Sequence, residues 1–186
     1  MWVFLGTDAM GFGGLLLAYA MLRARAPAWP DPALRFDRSL AGALTFVLLF
    51  SGGTMSAAVA ALREGREATA RLLLVLTALA GMVFTVGQGL EFHQLATERH
   101  LGLTADHAAA LFYVITGYHG LHVLAGVFVL GTVAARSGGA DVRGPARRAR
   151  IGTLEVVSLY WQFVDLLWIV LFTALYLLPP VIRGDL

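Results

Sequence analysis

The sequence contains no cysteine and no lysine, and only 14% of its residues are charged. Without cysteine there is no disulfide framework, no thiolate metal site and no covalent c-type haem attachment. The charged fraction is well below that of an average soluble domain, and the mean hydropathy is +0.73. No basic segment precedes the apolar residues Met1–Leu5, which argues against a cleaved signal peptide. These absences indicate a chain whose solvent is lipid.

Apolar residues make up 58% of the chain and are gathered into five long blocks. A helix of about 20 apolar residues crosses the hydrocarbon layer of a bilayer. The short alternating strands of a β-barrel are not visible. We therefore predict an all-α fold, one membrane domain over 1–186 with five transmembrane helices. Their expected positions are about 2–22, 40–62, 72–95, 108–134 and 153–178, with Pro179 and Pro180 ending the last helix.

All 14 basic residues are arginines, and they lie mainly between the apolar blocks. This placement favours charges that flank a membrane over a nucleic-acid patch. Eight arginines share the side of the N-terminus: Arg63, Arg66, Arg71, Arg136, Arg143, Arg147, Arg148 and Arg150. Six lie on the other side: Arg23, Arg25, Arg35, Arg38, Arg99 and Arg183. The positive-inside rule then predicts a cytoplasmic N-terminus and an external C-terminus.

Two carboxyl groups lie inside predicted spans, where each needs a partner or a function. Asp8 is in the first helix, and a carboxyl in an apolar setting either exchanges protons or forms a hydrogen bond with a neighbouring helix. Glu91 is near the outer end of the third helix, with Gln88 one turn earlier on the same face. For both residues a structural hydrogen bond is the alternative to a proton-related role.

The fourth and fifth predicted helices carry further polar side chains. His119 and His122 are three residues apart and can both face the bundle interior, which raises metal or haem ligation as a hypothesis. The other histidines lie near one membrane surface, so hydrogen bonds between helices are the preferred interpretation. On the fifth helix four polar residues share one face that must meet protein or water. They are Glu155, Ser158, Gln162 and Asp165.

Three segments resemble one family, in order along the chain. Trp2–Gly14 is similar to the W-x-F-L-G-S-E-x-M-F-F-G-G stretch of subunit III of haem–copper oxidases. Phe112–Val123 resembles its F-F-x-x-T-G-F-H-G-x-H-V segment, and Tyr160–Trp168 resembles its Y-W-H-F-V-D-x-V-W motif. Asp8 stands where the family has glutamate, and Gln162 stands where it has histidine. The five-helix pattern resembles the short bacterial forms, which lack two N-terminal helices of the longer ones.

The resemblance implies an accessory subunit without catalytic residues, metal or cofactor of its own, in the bacterial inner membrane. Haem and copper would be held by subunit I, the partner beside which such a chain packs with bound phospholipid. The implied role is to stabilise that subunit and to support proton uptake, with Asp8 and Glu91 as proton-related or lipid-cleft candidates. His119, His122, Glu155, Gln162 and Asp165 would be structural polar anchors. Whether cytochrome c or quinol donates the electrons is not visible in the sequence.

Three other functions stay open from the residues. One is an accessory subunit of a nitric oxide reductase, to which the departures from the family motifs at Asp8 and Gln162 give some weight. Another is a self-contained haem-binding electron carrier built on His119 and His122. The third is a small transporter, although neither inverted repeats nor broken helices are visible.

Overall fold

A computed structural model describes residues 1–136, 145–179 and 181–182 of the chain. Within these residues five helical segments are long and apolar enough to cross a membrane. Helix α1 is Trp2–Arg25, α3 is Arg38–Arg63, α4 is Glu67–Thr97, α5 is His107–Arg136, and α6 is Pro145–Phe172, continued by a π-helical turn, Thr173–Leu177. The short elements are β1 (Ala28–Trp29), α2 (Pro32–Arg35) and β2 (Val181–Ile182). The prediction of an all-α bundle with five spans is confirmed.

The helices form a bundle in which α3 packs on α4 and α6, α4 packs on α5, and α1 packs mainly on α5. At one end, which we call the proline end, lie residues 26–37, 98–106, 178–179 and 181–182. Here β1 and β2 pair in antiparallel fashion, so the loop after α1 is joined to the chain after α6. The opposite end, the arginine end, comprises Met1, residues 63–71 and the described residues from 136 to 150. Arg143 and Arg183 lie outside the described residues.

Local signals in the sequence set several helix ends. The Asp37 carboxylate accepts hydrogen bonds from the backbone N–H groups of Ser39 and Leu40, both at 3.0 Å, and so caps α3. The hydrogen bond from the Ser39 side chain, with the one from the Leu40 N–H, lowers the pKa of Asp37. Gly65 follows α3 with a φ of 82°, a left-handed conformation that suits glycine. This glycine lets the chain reverse directly into α4 at the arginine end.

The spans are longer than the apolar blocks that predict them. Helix α4 begins at Glu67 instead of Leu72, and α6 begins at Pro145 instead of Thr153. The segment between the predicted fourth and fifth spans is therefore helical from Pro145 onward, while 137–144 lie outside the described residues. The added turns carry arginine and glutamate, whose low hydropathy excludes them from a predicted span. A helix can nevertheless continue past the hydrocarbon layer, so the real helices are longer.

Trp161 of α6 is a large aromatic side chain of the bundle core and is fully buried. Its indole Nε1–H donates to Ser51 Oγ of α3 at 2.9 Å. Its six-membered ring lies against Gly81 of α4 and Gly126 of α5, where an added Cβ would come within 2.6 and 2.7 Å of ring carbons. Glycine at these two positions is thus what lets three helices close around one indole.

Candidate functional site

Asp8 and His122 form a polar pair between α1 and α5, in which Asp8 is buried and His122 is partly exposed. Asp8 Oδ1 lies 3.0 Å from His122 Nε2, and the Asp8 side chain is almost fully buried. The other ring nitrogen of His122 lies 2.8 Å from the Tyr118 carbonyl oxygen. If Nδ1 carries the only ring proton, Nε2 accepts a hydrogen bond from the protonated carboxyl group of Asp8. If both ring nitrogens are protonated, the ring forms an ion pair with the Asp8 carboxylate. The pair can therefore hold one mobile proton in a low-dielectric site.

Aromatic side chains enclose this pair. The Tyr118 hydroxyl donates to Asp8 Oδ1 at 3.2 Å, and the Phe12 ring lies 5.4 Å from the His122 ring, centroid to centroid. The Tyr160 hydroxyl of α6 donates to the His122 carbonyl oxygen at 2.9 Å. Asp8 Oδ2 has no hydrogen-bonding partner among the described residues. Oδ1 of Asp8 thus contacts both His122 and Tyr118, whereas Oδ2 is free to accept a hydrogen bond.

His119 does not join this pair. It is fully buried, its ring stacks on Trp168 at 5.1 Å between centroids, and Phe84 meets its edge. Neither ring nitrogen has a hydrogen-bonding partner within the described parts of the chain. The expected hydrogen bond between helices is therefore replaced by aromatic packing. The two histidines, three residues apart on α5, thus have different surroundings.

Glu91 lies near the proline end of α4 and meets the π-helical turn after α6. The Tyr176 hydroxyl donates to Glu91 Oε2 at 2.8 Å, and both side chains are buried. Glu91 Oε1 has no partner in the described ranges. One turn earlier, Gln88 Nε2 donates to the Thr116 carbonyl oxygen at 2.7 Å and ties α4 to α5. Asp8 and Glu91, the two proton-related candidates, thus lie in separate polar clusters.

The polar face of α6 is directed at α3. Glu155 pairs with Arg63 at 2.7 Å near the arginine end. Gln162 Nε2 donates to the Gly52 carbonyl oxygen at 2.9 Å and lies 3.0 Å from Ser56 Oγ. Asp165, one turn further, is 4% exposed, and its Oδ1 has no partner in the described part of the chain. Glu155 and Gln162 are therefore joined to α3 by polar contacts, whereas Asp165 lies against Gly52 of α3.

At the arginine end lies a pocket that the sequence did not predict. It encloses about 310 Å³ and combines three arginines, Arg71, Arg136 and Arg150, with an apolar base formed by leucines of α3, α4 and α6. Arg150 also pairs with Glu67 at 3.0 Å. Arg71 lines a second, apolar groove of about 370 Å³ between α4 and α5. The signal in the sequence was the placement of arginines next to apolar residues at helix ends.

These features define a polytopic helical membrane protein whose buried polar side chains connect one helix to another. Across residues 1–136 and 145–179, no three His, Asp or Glu side chains are grouped closely enough to hold a metal ion. The chemistry available at Asp8–His122 is proton exchange and hydrogen bonding.

Residues 39–179 match the family model described as cytochrome c oxidase subunit III. The chain is 36% identical over 179 residues to cytochrome c oxidase subunit 3 of Synechocystis sp., covering 95% of this chain and 73% of that protein. It is also 36% identical over 177 residues to the probable cytochrome c oxidase subunit 3 of Mycobacterium leprae, covering 94% of this chain and 84% of that protein. A third relative, from Thermostichus vulcanus, is 33% identical over 176 residues. The chain belongs to the cytochrome c oxidase subunit III family, as the three motifs indicated.

Proposed function

We propose that this chain is an accessory, cofactor-free subunit of a haem–copper terminal oxidase in the bacterial inner membrane. Its N-terminus would face the cytoplasm and its C-terminus the outside. It would pack beside the catalytic subunit I, which holds the haems and copper, and would stabilise that subunit during turnover. The observation that carries the proposal is the family membership, which rests on relatives aligned over 94–95% of the chain.

The first experiment is a gentle-detergent purification of the tagged full-length chain from membranes of its native host. Co-purification of a larger haem- and copper-bearing subunit with oxygen-reducing activity supports the proposal. Mass identification and the visible spectrum of the same sample separate the alternatives. A lone chain with a Soret band would contradict the proposal in favour of a haem carrier, and a lone colourless chain would leave a transporter.

We assign Asp8 and His122 the proton-related part of this function. The Asp8 carboxyl and the His122 imidazole are 3.0 Å apart, so a proton can pass between them along one hydrogen bond. Asp8 is the seventh residue of α1, so it lies about 10 Å along the helix from the arginine end. Under the proposed topology this end faces the cytoplasm, the side from which an oxidase takes up protons.

The test compares the assembled oxidase carrying Asp8→Asn with wild type. The variant keeps the size of the side chain but loses the exchangeable carboxyl proton. We expect slower proton uptake and faster loss of activity during turnover, at unchanged haem content. Glu91→Gln near the proline end is the matched control and should leave cytoplasmic proton uptake unaltered. Equal proton uptake in Asp8→Asn and wild type would refute the assignment.

Phospholipid is the small molecule that the arginine-end pocket suits best. Arg71, Arg136 and Arg150 offer guanidinium groups to a phosphate, and the adjoining groove between α4 and α5 offers an apolar path for an acyl chain. Native mass spectrometry of the chain from nanodiscs containing phosphatidylglycerol should retain a bound lipid. Combined replacement of Arg71 and Arg136 by alanine should reduce that retention, whereas replacement of Arg25 at the proline end should not. Equal retention in both variants would count against this ligand site.

A further inference from the structure

A groove opens outward between α3 and α6 near the middle of the membrane. It encloses about 430 Å³. Its lining is Leu49, Gly52, Gly53, Ser56, Gln162, Asp165, Leu166 and Ile169. Gly52 is the fifteenth of the 26 residues of α3, so the groove is far from both ends of that helix. Its centre is polar at a depth where lipid offers only hydrocarbon.

The Asp165 carboxyl is the feature of this groove that lacks a partner. The side chain lines the groove and is 4% exposed, and Oδ1 has no hydrogen-bonding partner in the described residues. Oδ2 lies against Gly52, where an added Cβ would collide with it. The neighbouring Gln162 amide nitrogen is already engaged with the Gly52 carbonyl oxygen and Ser56 Oγ. Glycine at position 52 thus makes room for a carboxyl group whose hydrogen-bonding capacity is unused.

The rim and floor of the groove have the properties of a helix-docking surface. Leu49, Leu166 and Ile169 form an apolar rim and are 41%, 59% and 40% exposed. On the floor, Gly53 and Ser56 are exposed and small, which permits the close approach of another helix. At Gly53 no atom lies within 4 Å of an added Cβ, so the space above it is open.

We propose that this α3/α6 groove docks a transmembrane helix of another oxidase subunit, which supplies a hydrogen-bond donor to Asp165. The donor would be a hydroxyl, amide, indole or basic side chain. The inference rests on the proposed function and specifies the face by which the chain joins the complex. An acyl chain would fill the space but offers no donor, and a phospholipid headgroup does not reach the middle of the bilayer. A helix meets both the apolar rim and the polar floor.

Photo-crosslinking in the assembled oxidase tests the occupant directly. Benzoylphenylalanine would replace Leu166, which is 59% exposed on the rim of the groove. The matched control is Leu90, which is 55% exposed on α4 outside this groove. We expect the Leu166 position to crosslink to a second oxidase subunit, identified by mass, and the Leu90 position to crosslink less to that subunit.

A groove-filling substitution tests whether docking depends on this face. Gly53→Leu adds bulk to the floor at a position where no atom lies within 4 Å of an added Cβ, and Gly89→Leu adds the same bulk at another exposed glycine whose added Cβ is equally free of neighbours. We expect Gly53→Leu to lower the recovery of the haem-bearing subunit about tenfold, as expected for loss of one buried hydrogen bond with its contacts. Gly89→Leu should match wild type.

The outcomes separate this inference from the proposed function. If wild type recovers the haem-bearing subunit but Leu166 crosslinks only lipid and Gly53→Leu has no effect, the inference is wrong and the proposed function stands. A crosslink from Leu166 to a second copy of this chain also overturns it, in favour of self-association. If wild type recovers no other subunit, the proposed function and the inference both fail.

Discussion

The closure of three helices around Trp161 leads to a quantitative prediction for Gly126→Ala. The new methyl carbon would come within 2.7 and 2.8 Å of Trp161 ring carbons and within 3.2 Å of a Tyr160 ring carbon. These distances are too short for carbon atoms, and Trp161 is fully buried and held by its hydrogen bond to Ser51. The ring therefore cannot move without displacing a helix.

The magnitude follows from two opposing effects. Overpacking a tight core costs about 1–3 kcal/mol, whereas alanine stabilises a helix interior by about 1 kcal/mol relative to glycine. Gly131→Ala on the same helix experiences only the second effect, because nothing lies within 4 Å of its added Cβ. We therefore expect Gly126→Ala to be less stable than Gly131→Ala by about 1–3 kcal/mol.

The assay is reversible unfolding of the purified chain in mixed micelles by SDS, followed by circular dichroism. A Trp161→Phe background provides the decisive comparison, since removal of part of the ring should relieve most of the penalty of Gly126→Ala. Equal unfolding free energies for the two alanine variants would refute the reasoning. So would an unchanged Gly126→Ala penalty in the Trp161→Phe background.

The remaining predictions concern three polar contacts. Asp8→Leu should lower the unfolding free energy by about 1–3 kcal/mol because it leaves the His122 ring without its partner, and an unaltered SDS transition would contradict this. Tyr176→Phe should cost a similar amount in wild type, about 1–3 kcal/mol, but little in a Glu91→Leu background, as a double-mutant cycle would reveal. Partial burial opposes ionisation of Asp106, but hydrogen bonds from the Ala109 N–H and the Arg35 side chain lower its pKa overall. A lowered pKa contributes stability that is lost as the pH falls through the folded value, so acidification below about pH 4 should destabilise wild type more than Asp106→Asn in thermal melts.

The number and approximate places of the helices were predictable because hydrocarbon imposes one simple requirement, a long apolar run. The motif around His119 and His122 also led to the family. The different surroundings of the two histidines could not be predicted from their spacing. A separation of three residues turns a helix by about 300°, so the two rings share a broad face and both lie near Phe12, but their other neighbours differ. His122 consequently meets α1, whereas His119 stacks on Trp168 of α6.

The polar face of α6 is a second case in which the spacing of residues does not predict their surroundings. The spacing of Gln162 and Asp165 predicts that both residues point in one direction, but it does not say which helix receives them. That choice depends on α3, where Gly52 leaves space beside the carboxyl and Ser56 lies within reach of the amide. Glycine in a membrane helix is common enough that its role is visible only when the opposing side chain is known. Asp165 Oδ1 receives no hydrogen bond from the described residues of its own bundle. Because a carboxyl group inside a membrane needs a hydrogen-bond donor, that donor has to come from a neighbouring chain.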